Sequence, residues 1–190
     1  MSSEFQLTLL PRNVESAEPE AKPALQQAQS QLGFVPNMYA RMANSPGLLN
    51  TYLQGYAAFR QRSQLTSAEQ EVVFLTISRE HGCEYCVAAH SMLAGTLSKV
   101  PPEVTQAIRD DRSIPDPKLA VLSLFTQRMV QSRGLPSRGD VDSFLRAGYS
   151  ERHILEIILA ISVKILSNYA NHLFDTPVDS AFAACAWKRR

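Results

Sequence analysis

From Thr66 to Gly148 the chain is punctuated by helix starts and helix stops, with no strand-like alternation between them. Thr66-Ser67-Ala68-Glu69 is a capping box: a hydroxyl at the N-cap and a carboxylate three residues on satisfy two backbone donors that a first helical turn leaves open. The helix it opens carries Val72, Val73, Leu75, Thr76 and Ile77 and is predicted to end near His81-Gly82, where glycine can take the left-handed conformation. A new helix is predicted from Cys83 to about Leu97. Val100-Pro101-Pro102 ends it and opens a short helix to about Arg109. Asp116-Pro117 joins an N-cap to a proline in the first turn, launching a helix to about Ser132 with Gly134 beyond it. Ser137 opens a short helix closed at Gly148, and Ser150 caps a long one from Glu151 to about Asn171.

Outside that region the signals are similar. Residues 1–23, with Pro11, Pro19 and Pro23, read as an extended arm before a short helix from about Ala24 to Gln31. Apolar residues then recur at helical spacing from Asn37 to Arg62, interrupted at Ser45-Pro46-Gly47. A final turn or short helix follows Pro177. The expectation is an all-α fold of about eight to ten helices in a single domain spanning residues 1–190. Ser67 to Ser78 and Ser150 to Ser162 echo one another, as an old duplication or as two buried helices with similar needs.

Composition narrows the function. At 190 residues with 45% hydrophobic content the chain can bury a sizeable core, and a net charge of +1 excludes global disorder and argues against nucleic-acid binding. Three cysteines are too few, and odd in number, for a disulfide scaffold. The start, Met1-Ser2-Ser3-Glu4-Phe5, has neither a basic nor an apolar region of a secretory signal, so a reducing, cytoplasmic setting is expected. The apolar stretch Ile154 to Leu166 contains Glu156 and Lys164 and is read as a core helix, with no membrane span expected.

The chemistry is concentrated between Cys83 and His90. At about 100° per residue, Cys86 lies roughly 60° from Cys83 and His90 about 20° from it, so all three share one face of a helix start. Cys86 and His90 are four apart, within reach directly or through one water. Open N–H groups and the positive end of the helix dipole stabilise a thiolate there. A free thiol titrates near ~8.5, and bringing it to neutrality asks for roughly 2 kcal/mol. If the flanking helices form a hairpin around Gly82, Glu71 returns beside His90 and can orient it; otherwise Glu71 is a surface carboxylate near its own helix start. Cys83, Cys86 and His90 also supply three candidate zinc ligands, with a fourth to come from far away.

The pattern Glu71, Cys83, Cys86, His90 resembles the alkylhydroperoxidase D-like branch of the carboxymuconolactone decarboxylase family. The surrounding GFVPNMYARMANSPGLLNTY, EYCVAAHS, PDPKLAVLSLFTQRM and LRAGYSERHILEII resemble its peroxidase-related subgroup, over roughly residues 30 to 175. The resemblance implies a helical homo-oligomer, a trimer or hexamer, that needs no cofactor or metal. It implies a peroxidase in which Cys86 attacks a hydroperoxide, Cys83 resolves the sulfenic acid as a disulfide, and His90 with Glu71 relays protons. A thiol or dithiol donor would close the cycle. The pattern departs at Tyr85, where the best-studied peroxidases of the family have a second histidine, so the implied relay is shorter. Two other functions fit the same residues: cofactor-free decarboxylase or lactonase proton transfer by His90 and Glu71, and a non-enzymatic redox-sensing oligomer.

Overall fold

The computed structural model describes residues 4–189, which form nine α-helices and one short 3-10 helix, with no strand among them. The helices are α1 (Lys22–Leu32), α2 (Asn37–Met42), α3 (Pro46–Arg62), α4 (Ser67–Glu80), α5 (Glu84–Thr96), α6 (Pro102–Asp110), α7 (Pro117–Gln131), α8 (Arg138–Arg146) and α9 (Glu151–Phe174), followed by the 3-10 helix Ser180–Cys185. The all-α expectation stands. Boundaries moved by a few residues: α1 starts at Lys22, and α9 runs to Phe174. Met1 to Ser3, at the head of the expected arm, lie outside the described residues. The rest of the arm is pinned down, with the Leu7 N–H donating to the Leu173 carbonyl at 2.8 Å and the Arg12 N–H to that of Ala40 at 2.8 Å.

The centre of the molecule is α4, on which α5, α6, α7 and α9 all pack. Every residue from Glu69 to Ser78 is buried, because this helix is apolar nearly all round and must be enclosed by others. Its N-terminus is held by the expected box. Thr66 N–H donates to Glu69 Oε2 at 2.8 Å, while the other Glu69 oxygen accepts from Lys118 at 2.9 Å and from Tyr149 at 3.1 Å.

The joint between α4 and α5 positions the sulfurs. Gly82 sits at φ +68°, and its N–H donates to the Arg79 carbonyl at 2.9 Å. The Cys83 N–H donates to the Ser78 carbonyl at 2.9 Å. This glycine-based C-cap turns the chain so tightly that Cys83 is at once the residue leaving α4 and the N-cap of α5. Only His81, Gly82 and Cys83 separate the two helices, so α4 and α5 form the hairpin that the sequence offered as one alternative.

Helix α9 buries polar side chains alongside Ile157, Ala160, Val163, Ala170 and Phe174. Leu155, Ile158, Ile165, Tyr169 and Leu173 are exposed, while Glu156, Lys164, Ser167, Asn168 and Asn171 are buried. By length and composition it is the one described helix that could cross a membrane. Its buried face instead carries an ammonium and two carboxamides that need polar partners, and those partners are in the site.

Candidate active site

Cys83 and Cys86 are both buried, 1% and 2% exposed, at the N-terminus of α5. All three cysteines of the chain are free thiols. Asn171 Nδ2, projecting from α9, donates to Cys86 Sγ at 3.3 Å and reaches Cys83 Sγ at 3.8 Å. Ser167 Oγ lies 4.0 Å from Cys86 Sγ. Burial pushes both thiols up, but at Cys86 the hydrogen bond from Cys83, the charge and hydrogen bond of the Lys164 ammonium and the Ser167 hydroxyl outweigh it, lowering its pKa to about 6. At Cys83 burial and the neighbouring Cys86 sulfur act together and push the thiol well up. The two sulfurs are thus driven apart in acidity, Cys86 down and Cys83 up.

Glu71 and His90 meet. Glu71 Oε2 lies 2.8 Å from His90 Nδ1, and the other carboxylate oxygen is ion-paired to Arg60 from α3. Arg60 also donates to Tyr56 Oη at 3.0 Å and lies over the rings of Tyr56 and Phe74. His90 Nε2 faces the Lys164 ammonium at 2.9 Å. Burial and then the Lys164 charge lower the His90 pKa to about 4, so the imidazole is neutral. Burial raises the Glu71 carboxyl, but His90 and Arg60 more than reverse this and hold it below its ordinary value. The tautomer follows from its neighbours: Nδ1–H donates to the carboxylate and the Nε2 lone pair accepts from Lys164.

Of the two expected routes from His90 to Cys86, directly or through one water, the direct hydrogen bond is not among those of the described residues. Both ring nitrogens are taken, by Glu71 and by Lys164. The Lys164 charge acts on the Cys86 sulfur and lowers its pKa. Sequence reasoning weighed Lys164 only as a charge against membrane insertion, and it passed over Ser167, Asn171 and Arg60. A signal was present. Lys164, Ser167, Asn168 and Asn171 fall at i, i+3, i+4 and i+7, a polar stripe along an otherwise apolar helix.

Tyr85 takes no part in this chain of contacts. Its hydroxyl donates to Asp179 Oδ2 at 2.5 Å and accepts from the Met38 N–H at 3.4 Å, tying the 3-10 helix and α2 to α5. His81 receives Asn168 Nδ2 at Nδ1, 3.0 Å away, and burial followed by the Lys164 charge lowers its pKa to about 4. His153 completes the cap of α9, accepting the Ser150 N–H at 2.9 Å. Among the described residues no group of three His, Cys, Asp or Glu side chains is placed to hold a metal ion.

A cleft of about 840 Å³ opens beside the sulfurs. Gly82, Cys83, Tyr85, Asn171, His172 and Arg189 are among the residues that line it. It reaches Cys83 and stops short of Cys86, so the two thiols differ in access as well as in acidity.

The nine-helix arrangement that carries this site is the alkylhydroperoxidase D-like fold. Solved structures agree. A peroxidase-related protein of Ralstonia eutropha, described as an alkylhydroperoxidase AhpD core, superposes with a TM-score of 0.81 at 18% identity, over 92% of this chain and 93% of that one. A peroxidase-related protein of a Silicibacter species gives 0.76 at 21% identity, over 95% and 97%. The debrominase Bmp8, as a cysteine-to-alanine variant in complex with 2,3,4-tribromopyrrole, gives 0.76 at 19% identity, over 97% of both chains. No family model matches the sequence, and no curated protein matches it. At these identities the likeness is one of fold.

Proposed function

We propose that the protein is a thiol-dependent, peroxidase-like oxidoreductase that reduces hydroperoxides through a Cys83–Cys86 cycle. The observation that carries this reading is two buried free thiols, Cys83 and Cys86, at one helix N-terminus, with Asn171 Nδ2 donating to Cys86 and the surroundings lowering the Cys86 pKa while raising that of Cys83. The Cys86 thiolate attacks the nearer oxygen of ROOH; an S–O bond forms, the O–O bond breaks, and the departing oxygen takes a proton to give ROH. Cys83 then attacks the sulfenic acid, forming the disulfide and releasing water. A thiol or dithiol returns two electrons and two protons, entering by the cleft on the Cys83 side. Glu71 and His90 form the inner end of a proton relay that reaches the thiols by way of Lys164.

Turnover of hydrogen peroxide and of an organic hydroperoxide with a dithiol, for the parent and for Cys86→Ser, tests this. Loss of turnover in the variant supports it, and equal rates rule it out. The debrominase neighbour suggests a second oxidant for the same two thiols, a bromopyrrole reduced with release of bromide; bromide release alongside absent peroxide turnover would favour it. Thiol-free decarboxylase or lactonase chemistry is disfavoured because both His90 nitrogens and both Glu71 oxygens are already engaged.

The reading includes a homo-oligomer in a reducing, cytoplasmic compartment. Leu155, Ile158, Ile165, Tyr169 and Leu173 lie three, seven, four and four residues apart along the outer face of α9, as along the seam of a helix pair. A second copy presenting the same stripe would cover them. A redox-sensing role for the disulfide would appear as different oligomers of the reduced and oxidised protein with negligible turnover.

A further inference from the structure

Lys164 is 1% exposed, and no carboxylate among the described residues lies within ion-pair distance of it. The carboxylate nearest along the network, Glu71, is already shared between Arg60 and His90. With His90 neutral, the chain Arg60–Glu71–His90–Lys164 carries one positive charge in excess. An unpaired ammonium in a protein interior is costly. Two contacts bring it to the Cys86 side of the site. Lys164 Nζ is fixed 2.9 Å from His90 Nε2, one turn beyond Cys86 on α5, and Ser167, one turn on from Lys164, holds its hydroxyl 4.0 Å from Cys86 Sγ.

We infer that Lys164 is the buried counter-ion of the Cys86 thiolate and its proton donor in turnover, with His90, Glu71 and Arg60 positioning the ammonium. The counter-ion role stands whatever the oxidant; the proton donation rests on the peroxidase-like reading.

The protons balance. In the resting site Cys83 carries a proton, Cys86 is anionic and Lys164 is an ammonium. When the S–O bond forms, Lys164 gives a proton to the departing RO⁻ and becomes an amine. The amine takes the Cys83 proton as that sulfur attacks, then passes it to the hydroxide released from the sulfenic acid. The products are ROH, water, the disulfide and a neutral Lys164. A dithiol donor restores two protons, one to Cys83 and one to Lys164. The buried cation and buried anion thus appear and vanish together.

The other titratable groups around the sulfur leave this role unfilled. Tyr39 from α2, and Tyr52 and Tyr56 from α3, are held neutral by burial. On α5, Tyr85 is likewise neutral through burial and its Asp179 hydrogen bond. His81, at the end of α4, and His90 are both neutral above about 4.

The test is a pH titration of thiolate ultraviolet absorbance in the reduced full-length chain, with the Cys86 contribution isolated by subtracting Cys86→Ser. In the parent the midpoint is expected near 6. Lys164→Met is expected to raise it beyond about 8.5, cutting the thiolate fraction at neutral pH roughly 30-fold, while Lys164→Arg keeps it below 7. His90→Gln, which retains an acceptor for the ammonium, is expected to move it by less than one unit. A Lys164→Met midpoint within half a unit of the parent's overturns the proposal. So does a His90→Gln shift as large as that of Lys164→Met, which would assign the charge to the imidazole. If Lys164→Met does not fold, Lys164→Gln takes its place. Melting temperatures give a second reading: Cys86→Ser strands the ammonium and lowers the melting temperature, and adding Lys164→Met is expected to restore part of the loss. Additive losses would count against the pair. None of these measurements uses a peroxide, so they can fail or succeed independently of the peroxidase assay.

Discussion

Glu71 Oε2 and His90 Nδ1 lie 2.8 Å apart across the α4–α5 hairpin, both buried, at the point where the two helices have returned alongside one another. Because Arg60 holds the second carboxylate oxygen, this pair fixes both the charge of Glu71 and the tautomer of His90. The consequences below follow from that buried network.

Replacing Glu71 with Gln leaves the Arg60 guanidinium without its anion. Breaking a buried pair from one side costs about 3–5 kcal/mol, and a loss of that order is expected in urea denaturation at neutral pH. Glu71 is held below its ordinary value of 4.5, so its contribution is present above 4.5 and fades as pH falls through its lower folded value. The gap between parent and Glu71→Gln should therefore narrow in acid. A constant gap would mean the carboxylate is not the source.

His90 and His81 each titrate near 4 in the folded chain against an ordinary 6.5. The unfolded chain therefore binds more protons between those values, and stability falls as pH drops from 6.5 toward 4. Melting temperatures measured across that window are expected to fall for the parent and to fall less steeply for His90→Gln and for His81→Gln.

On the proposed cycle Cys83→Ser removes the sulfur that resolves the sulfenic acid, while the serine hydroxyl can still donate to Cys86 in place of the Cys83 thiol. One equivalent of peroxide is expected to yield a sulfenic acid on Cys86 that dimedone traps, seen by mass spectrometry. Steady-state turnover with a dithiol should fall by about 100-fold or more. Trapping at Cys83 in the converse variant, and none at Cys86, would reverse the roles of the two thiols.

On α9, Leu155→Glu with Ile158→Glu places two charges on the exposed stripe. Surface changes of this kind alter a protomer's own stability by only about 0.5 kcal/mol. Sedimentation velocity is expected to show a smaller species than the parent, with unchanged circular dichroism. Identical sedimentation would place the assembly surface elsewhere.

Much of the site was legible because its reach is short. The capping box at Thr66, the glycine at Gly82 and the apolar run between them specify a helix, its stop and an immediate return. That arithmetic alone brings Glu71 back to His90. The spacing of Cys83, Cys86 and His90 on one helix start needs no other element. The helix boundaries followed from the same local signals, since caps and prolines act on their own turn of backbone.

What the sequence could not decide is which distant side chains would close the circuit. Lys164 stands 74 residues from His90, and Arg60 stands 11 from Glu71 across a turn. The polar stripe on α9 was visible as a stripe, but a helix with one polar and one apolar face ordinarily turns the polar face outward. Only the packing of α9 against α4 and α5 reverses it, because the buried carboxylate, imidazole and sulfur there need partners that water cannot supply. The sequence thus determined the two thiols, the imidazole and the turn that gathers them. The tertiary structure decided which charge stands against the His90 ring, since a buried charge is stabilised by what encloses it and not by its neighbours along the chain.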